Sequence, residues 1–403
     1  MSSILICSHT GRGTGFGRIA AGIARSLAAI HRVWVVGVGP PLHGECWTGL
    51  PHGQLDQTRT SALARYADQT KPDIILLIGQ GQLLAWQTTK LRRTGYCGSI
   101  VAYVPVEGPI RDAGPLAGLL ETDAIVAYTS VGAQALVAAL DTEGKLPAVS
   151  VIPHAIDRLQ KESPDCKAQL RAQILKTSLH DAGATWILNA NRNDQRKRPE
   201  LTLRAFAECC TQPGEALLVL HCTPARRGLD LRMERDYYGL RNKVLFTSEI
   251  NPGCWSDEDI GRLYESCDIG VNSALGEGWG LIAFEHALCG GAQIMPRHAG
   301  LAEIWGAAPA WVNVGPQTIP TDDVFSGQFA ETESLTKVMK GLIQDRGLAT
   351  AVAKACAVRA ASAELSWDSV GERWRDLLKK QTRGAATFGQ ARWRVARALI
   401  ACP

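Results

Sequence analysis

Two carboxylates, Glu277 and Glu285, are separated by seven residues in EGWGLIAFE, with a glycine-flanked turn and the start of an apolar helix between them. The preceding run DIGVNSA (Asp268 to Ala274) reads as a short buried strand. The following LIAFEHALCGG carries Leu281, Phe284 and Leu288 at helical spacing and ends on Gly290 and Gly291, a plausible C-cap. The order strand, glycine turn, helix offers a phosphate the free N–H groups of a helix start, and the glycines let a ligand approach the backbone. Glu277 is expected in the loop at the mouth of such a site. Glu285 falls one to two turns into the helix beside an apolar face, where an ionised carboxylate needs a partner. Ligand hydroxyls, as of a sugar or ribose, supply suitable donors. The same spacing also allows a solvated Glu277 and a Glu285 paired with a structural Arg or Lys.

A second group lies in NANRNDQRKRPELTLRAFAE, where Arg192, Arg196, Lys197 and Arg198 follow the strand-like WILNAN and precede a helix. Four cations at a C-terminal strand end repel one another unless an anion or carboxylates lie nearby. A diphosphate would serve, with Arg192 as a forked contact and Lys197 as a point charge; a solvated basic loop is the plainer reading. Near the N-terminus, GRGTGFGR places Gly13, Gly15 and Gly17 between a first strand and a helix. This is either a phosphate-approach loop or a tight strand-to-helix turn. The spacing is not that of a dinucleotide fingerprint, and no acidic residue ends the second strand VWVVGVG, which counts against a dehydrogenase. His9, His154 and His298 also sit beside presumed strand ends, as does Glu107 in AYVPVEGPIRD. Each is a possible proton carrier or sugar contact.

The elements that must position these residues alternate along the chain. ILICS, VWVVGVG, DIILLIG, IVAYVPV, AIVAYTS and VSVIP form one strand series, and WILNAN, ALLVLHC, KVLFTSE, DIGVNSA and AQIMP a second, with helical segments between. That alternation predicts α/β architecture: two doubly wound parallel sheets covered by helices, over 1–158 and 184–365, joined by a charged link at 159–183. In open parallel sheets ligands bind beyond the C-terminal strand ends. A chain of 403 residues is long for one core, so two domains are the natural division.

Composition narrows the function classes. Charged residues are 20% and hydrophobic ones 46%, a globular balance, and a net charge of +4 gives no footprint for nucleic acid. Twelve scattered cysteines show no metal-ligand spacing and suit a reducing cytoplasm. No run approaches a membrane span. An amphipathic helix at 366–380 carries Trp367, Val370, Trp374 and Leu377 or Leu378 on one side. The tail 381–403 interleaves Arg383, Arg392, Arg394 and Arg397 with Trp393, Val395, Leu399 and Ile400, so it either lies on an anionic membrane surface or docks on protein.

Taken together these motifs resemble the retaining glycosyltransferases of family 4, whose GT-B fold has two Rossmann-like domains facing a central cleft. The likeness runs to about residue 380: GTGFGR resembles the family's N-terminal glycine loop, VIPHAID its VIPNGVD-type segment, NRNDQRK its Arg-then-Lys motif, EGWGLIAFE its E-x7-E motif and HAGLAEIW the turn that follows. The resemblance implies that Arg192 and Lys197 bind the donor diphosphate, that Glu277 with the backbone of Gly278, Trp279, Gly280 and Leu281 holds the sugar and distal phosphate, and that Glu285 holds the ribose. It also implies a terminal helix crossing back to the N-terminal domain, and transfer of a sugar from a nucleotide-diphosphate sugar to a carbohydrate, lipid-linked or other hydroxyl acceptor, without metal or cofactor. Where many members have an N-terminal-domain histidine this chain reads YVPVEGP, so Glu107, with His154, is the acceptor-side expectation. A nucleotide-sugar epimerase or hydrolase, or an inactive binding subunit, are the alternatives on the same fold. The segment FTSEINPG (Phe246 to Gly253) is where donor base selectivity is expected.

Overall fold

The computed structural model describes residues 1–9, 14–38, 52–55, 61–141, 144–157, 167–175, 184–210, 214–226, 229–253 and 255–381. Two compact units emerge, one comprising Met1–Ala155 with Ala363–Pro403, the other Ile156–Ser362.

In the first unit the strands are β1 (Ser3–His9), β2 (Arg32–Val38), β3 (His52–Leu55), β4 (Ile74–Ile78), β5 (Ser99–Val104), β6 (Ala124–Ala127) and β7 (Ala148–Val151). They form one parallel seven-stranded sheet in the order β3-β2-β1-β4-β5-β6-β7. The runs IILLI and SIVAYV are buried along their whole length, as expected of strands covered on both faces. Thr14 caps the helix Gly15–Ala28 by accepting the Gly17 amide at 3.1 Å, so Gly15 and Gly17 lie in its first turn, while Gly13 is outside the described residues.

A helix over 367–381 belongs to this unit. Its Val370, Trp374 and Leu378 are buried, and Trp374 meets Tyr103 of β5 edge-on at 4.9 Å. The Trp367 ring fills the space a side chain at Gly22 would occupy, and Ser26 does the same at Gly371. Two missing side chains therefore let the helices meet closely. The basic part of the tail, 382–403, with the membrane contact read from it, lies outside the described residues.

The second unit begins at Ile156 and so takes in the described part of the stretch read as a charged link. Its helix Lys167–Leu175 packs on the sheet: Arg171, buried, stacks over Trp186 at 4.9 Å, donates to the carbonyls of Ser266 and Ala184, and pairs with Asp268 at 2.5 Å. The strands are β8 (Thr185–Asn189), β9 (Ala216–Leu220), β10 (Ala225–Arg226), β11 (Leu229–Asp230), β12 (Val244–Phe246), β13 (Ile269–Val271), β14 (Ala292–Pro296), β15 (Ala310–Val312), β16 (Val314–Pro320) and β17 (Ser326–Ala330). Six form a parallel sheet in the order β12-β9-β8-β13-β14-β15; β10-β11 and β16-β17 are separate antiparallel ribbons. Strand order reverses between β8 and β13, the switch point at which doubly wound sheets take ligands. Among the described residues no helix is long and apolar enough to cross a membrane.

Candidate functional site

The loop after β8 and the loop after β13 leave the sheet side by side at that switch point, and they carry the cations and Glu277 respectively. Hydrogen bonds knit them together. The Leu275 amide donates to the Arg196 carbonyl at 2.7 Å, and the Ser273 hydroxyl donates to the Arg198 carbonyl at 2.8 Å. Asn272, at the end of β13, closes a turn by accepting the Ala274 amide at 2.9 Å and donates through its own amide to Glu277 Oε1 at 3.0 Å. Asn189, at the end of β8, donates to Thr202 at 2.8 Å, and Thr202 lies 3.0 Å from Ser273.

Glu277 is only 6% exposed. The alternative of a solvated Glu277 is therefore set aside: the carboxylate is in the loop after β13 but buried, surrounded by charged and polar groups. Lys197 Nζ donates to Oε1, and Arg196 Nη1 lies 3.4 Å from Oε2 while donating to the Gly276 carbonyl at 2.6 Å. Burial by itself would raise the carboxyl, but the Lys197 and Arg196 charges and the hydrogen bonds from Lys197 and Asn272 outweigh it and hold the group down at about 2. The charge balance of the basic loop thus comes partly from the chain itself. Glu277 faces Lys197 and Arg196, and Arg198 pairs with Glu200. Arg192 stands apart, its side chain 65% exposed and its guanidinium 3.4 Å from Asp194.

Gly280 adopts φ 82°, ψ 52° as the N-cap of the helix Leu281–Leu288, a left-handed turn that glycine takes without Cβ strain. The run from Gly278 to Leu281 therefore ends in the first helical turn, whose amides have no partner inside the helix. Trp279 is buried and stacks on Phe284, which stacks in turn on Trp305 at 4.1 Å, so the turn is anchored from below. Glu285 is the fifth residue of the helix, 8% exposed, and accepts from the Tyr264 hydroxyl at 3.3 Å. His298 Nε2 donates to the Ala274 carbonyl at 2.8 Å; burial lowers its pKa, so it stands neutral beside the glutamate loop.

The segment read for donor base selectivity starts on the last residue of β12 and continues as a short helix, Thr247–Ile250. Thr247 Oγ1 meets His221 Nδ1 at 2.8 Å, and Trp255 meets the same imidazole at 5.2 Å. Burial lowers His221 to about 4, so the ring is neutral.

In the first unit, His154 is 2% exposed and Glu107 half-buried. The Tyr103 hydroxyl lies 2.9 Å from the Ile152 carbonyl and 2.7 Å from His154 Nδ1, hydrogen-bond distance from both. Burial holds His154 well below its ordinary pKa. Tyr128 lies against both rings, with centroids 4.4 Å from Tyr103 and 3.9 Å from His154. Its phenol is raised by burial and by the Glu107 charge. Sequence reading counted Arg196 only as one of four loop cations and gave no role to Asn272, Tyr264 or Tyr128. The available signal for Asn272 and Tyr128 was a polar group closing an apolar strand run.

The two doubly wound units define the class of architecture, which is the GT-B fold. No family model matches the sequence, and no curated protein matches it. Among solved structures the chain is similar to a sucrose-phosphate synthase from Thermosynechococcus elongatus at TM-score 0.71 and 18% identity, over 95% of this chain and 100% of that one. It is similar to the Anabaena protein HepE, in complex with UDP and glucose, at TM-score 0.69 and 17% identity, over 94% and 100%. An α,α-trehalose-phosphate synthase (UDP-forming) from Burkholderia vietnamiensis follows at TM-score 0.70 and 14% identity, over 96% and 98%. At these identities the likeness establishes the fold.

Proposed function

We propose that the protein is a retaining glycosyltransferase that moves a sugar from a nucleotide-diphosphate sugar to an acceptor hydroxyl. The observation that carries this reading is the convergence, at the switch point of the second sheet, of Lys197, Arg196 and Glu277 with the left-handed Gly280 opening a helix. In this reading Lys197 and Arg192 engage the diphosphate, the amides of Gly278 to Leu281 receive the distal phosphate and sugar, Glu277 orients the sugar and Glu285 the ribose.

The chemistry follows from charge. As the glycosyl bond breaks, the diphosphate gains negative charge, and preplaced cations and helix-start amides stabilise that state more than the ground state. The leaving phosphate oxygen can take the acceptor proton, so retention needs no separate base. Glu107 and His154 are the acceptor-side residues in this proposal, for a carbohydrate, lipid-linked or other hydroxyl acceptor. HepE was solved with UDP and glucose and the Burkholderia enzyme is UDP-forming, which makes UDP-glucose the first donor to test. No metal or cofactor is required by this mechanism, and turnover is expected to survive excess chelator. We place the enzyme in the cytoplasm, in keeping with the free state of the described cysteines, and assign peripheral membrane contact to the tail.

The test is release of nucleoside diphosphate from a panel of nucleotide sugars with candidate acceptors, and the anomeric configuration of the product by NMR. Full activity after Arg192→Ala with Lys197→Ala sinks the site. Donor turnover with no acceptor present identifies an epimerase or hydrolase instead.

A further inference from the structure

The ribbon β16-β17 lies outside the parallel sheet yet touches both loops of the site. The Gln328 amide in β17 donates to the Leu275 carbonyl at 2.9 Å, and the Leu275 amide donates to the Arg196 carbonyl at 2.7 Å. A main-chain rung thus runs from ribbon to glutamate loop to cation loop. A side chain at Gly327 would overlap the Leu275 backbone, so glycine is what allows the ribbon to lie so close. Backbone atoms there cannot swing aside as a flexible side chain would.

A second observation comes from the cation loop. Arg198, directly after Lys197, sits at φ 51°, ψ 47°, a left-handed conformation that a non-glycine residue avoids, and it precedes Pro199, which favours extended backbone before it. Such a residue persists only where its surroundings over-determine it. Besides the Glu200 pair and backbone bonds to Asp194 and Leu201 within its own loop, Arg198 is held from outside by the Ser273 hydroxyl on its carbonyl at 2.8 Å and by the Phe329 ring of β17, 4.6 Å from its guanidinium. The ribbon has its own footing. Val324 and Phe325 at its tip are buried, Asp322 caps both of their amides, and Ala330 belongs to the core of the second unit.

We propose that the ribbon is a clamp that positions the donor-phosphate cations: Gly327 and Gln328 fix the glutamate loop through Leu275, and Phe329 holds the left-handed Arg198 so that Lys197 is aimed at Glu277. Gly327 and Phe329 are positioning residues acting through the two loops. The clamp rests on the reading of this site as the donor site, and it makes donor affinity depend on residues outside the Rossmann-like core.

The test uses the full chain with Phe329→Leu, Phe329→Trp and Gly327→Val, measured by hydrogen–deuterium exchange over 190–200 and 270–280 and by calorimetric titration with UDP-glucose. Phe329→Leu is expected to speed exchange in both segments about tenfold while peptides from β9 and β14 stay unchanged, and Phe329→Trp to restore protection by replacing the ring. Gly327→Val is expected to act most strongly on 270–280. UDP-glucose affinity is expected to fall about tenfold in Phe329→Leu and to recover in Phe329→Trp. Should Gly327→Val fail to fold, the Leu and Trp pair at 329 decides alone. Unchanged exchange in both segments of Phe329→Leu overturns the clamp. A wild-type protein that ignores UDP-glucose and every other nucleotide sugar overturns the donor reading instead, while the exchange result still rules on the clamp.

Discussion

Replacing Lys197 with methionine tests the central pair, because methionine keeps an apolar stem and removes the ammonium. Glu277 would keep Arg196 at 3.4 Å and the Asn272 amide at 3.0 Å but lose its closest cation. Stranding one member of a buried ion pair costs about 3 to 5 kcal/mol, and the two surviving partners place this case at the low end, about 3 kcal/mol. Glu277→Gln strands Lys197 in the same way. With both replaced no charge of the pair is left stranded, so the double variant is expected to lose about 2 kcal/mol less than the sum of the singles. For a unit of this size each single substitution lowers the unfolding midpoint by about 6 to 12 °C. The pair also sets an acid window. Because the folded-state value of Glu277 is depressed to about 2, the carboxylate contributes stability above its unfolded value of about 4.3, lost as pH falls from there toward 2. In Lys197→Met the folded value rises, so less stability disappears across that window and the acid slope flattens. Circular dichroism with temperature, at pH 7 and about pH 3, measures both effects. Additive single losses, or an unmoved midpoint in Lys197→Met at pH 7, refute the reasoning.

Other expectations follow from the same geometry. Arg192→Ala, at a side chain 65% exposed, should leave the melting midpoint within about 1 °C while weakening nucleotide-sugar binding at least tenfold, measured by calorimetry. Arg171→Met removes the guanidinium from Asp268, Ser266 and Ala184 and should cost about 1 to 3 kcal/mol in denaturant unfolding, because two carbonyls lose their donor while the part-exposed Asp268 keeps Lys167 and the Trp186 amide. Gly22→Ala places a methyl group against Trp367 and should cost about 1 to 3 kcal/mol; recovery in Gly22→Ala with Trp367→Leu would trace the loss to that ring. Tyr264→Phe should weaken nucleotide binding several-fold, since Glu285 loses the hydroxyl that orients it.

The order of strands and helices was legible in the chain because each element carries its own signal. A short, fully apolar and isoleucine-rich run such as IILLI reads as a strand covered on both faces, and the glycine turn at 278–280 marks where strand becomes helix. The ribbon β16-β17 was not legible: VGPQTIP has two prolines and no clean alternation, and its pairing with SGQFA is a contact made across a turn. The same limit applied to the cations. Spacing placed Arg192, Arg196, Lys197 and Arg198 in one loop, but nothing in the spacing says which of them turns inward. That choice follows from the left-handed Arg198 and from the Ser273 and Leu275 contacts, which lie more than seventy residues away in sequence.

What the sequence determined by itself was the periodicity, the turns and the residue types available at strand ends, since these depend on local sterics and local hydrophobic patterning. Only the tertiary structure decided that Glu277 is buried and paired with Lys197 and Arg196, not solvated, because a carboxylate's ionisation and exposure depend on charges brought to it by a different strand.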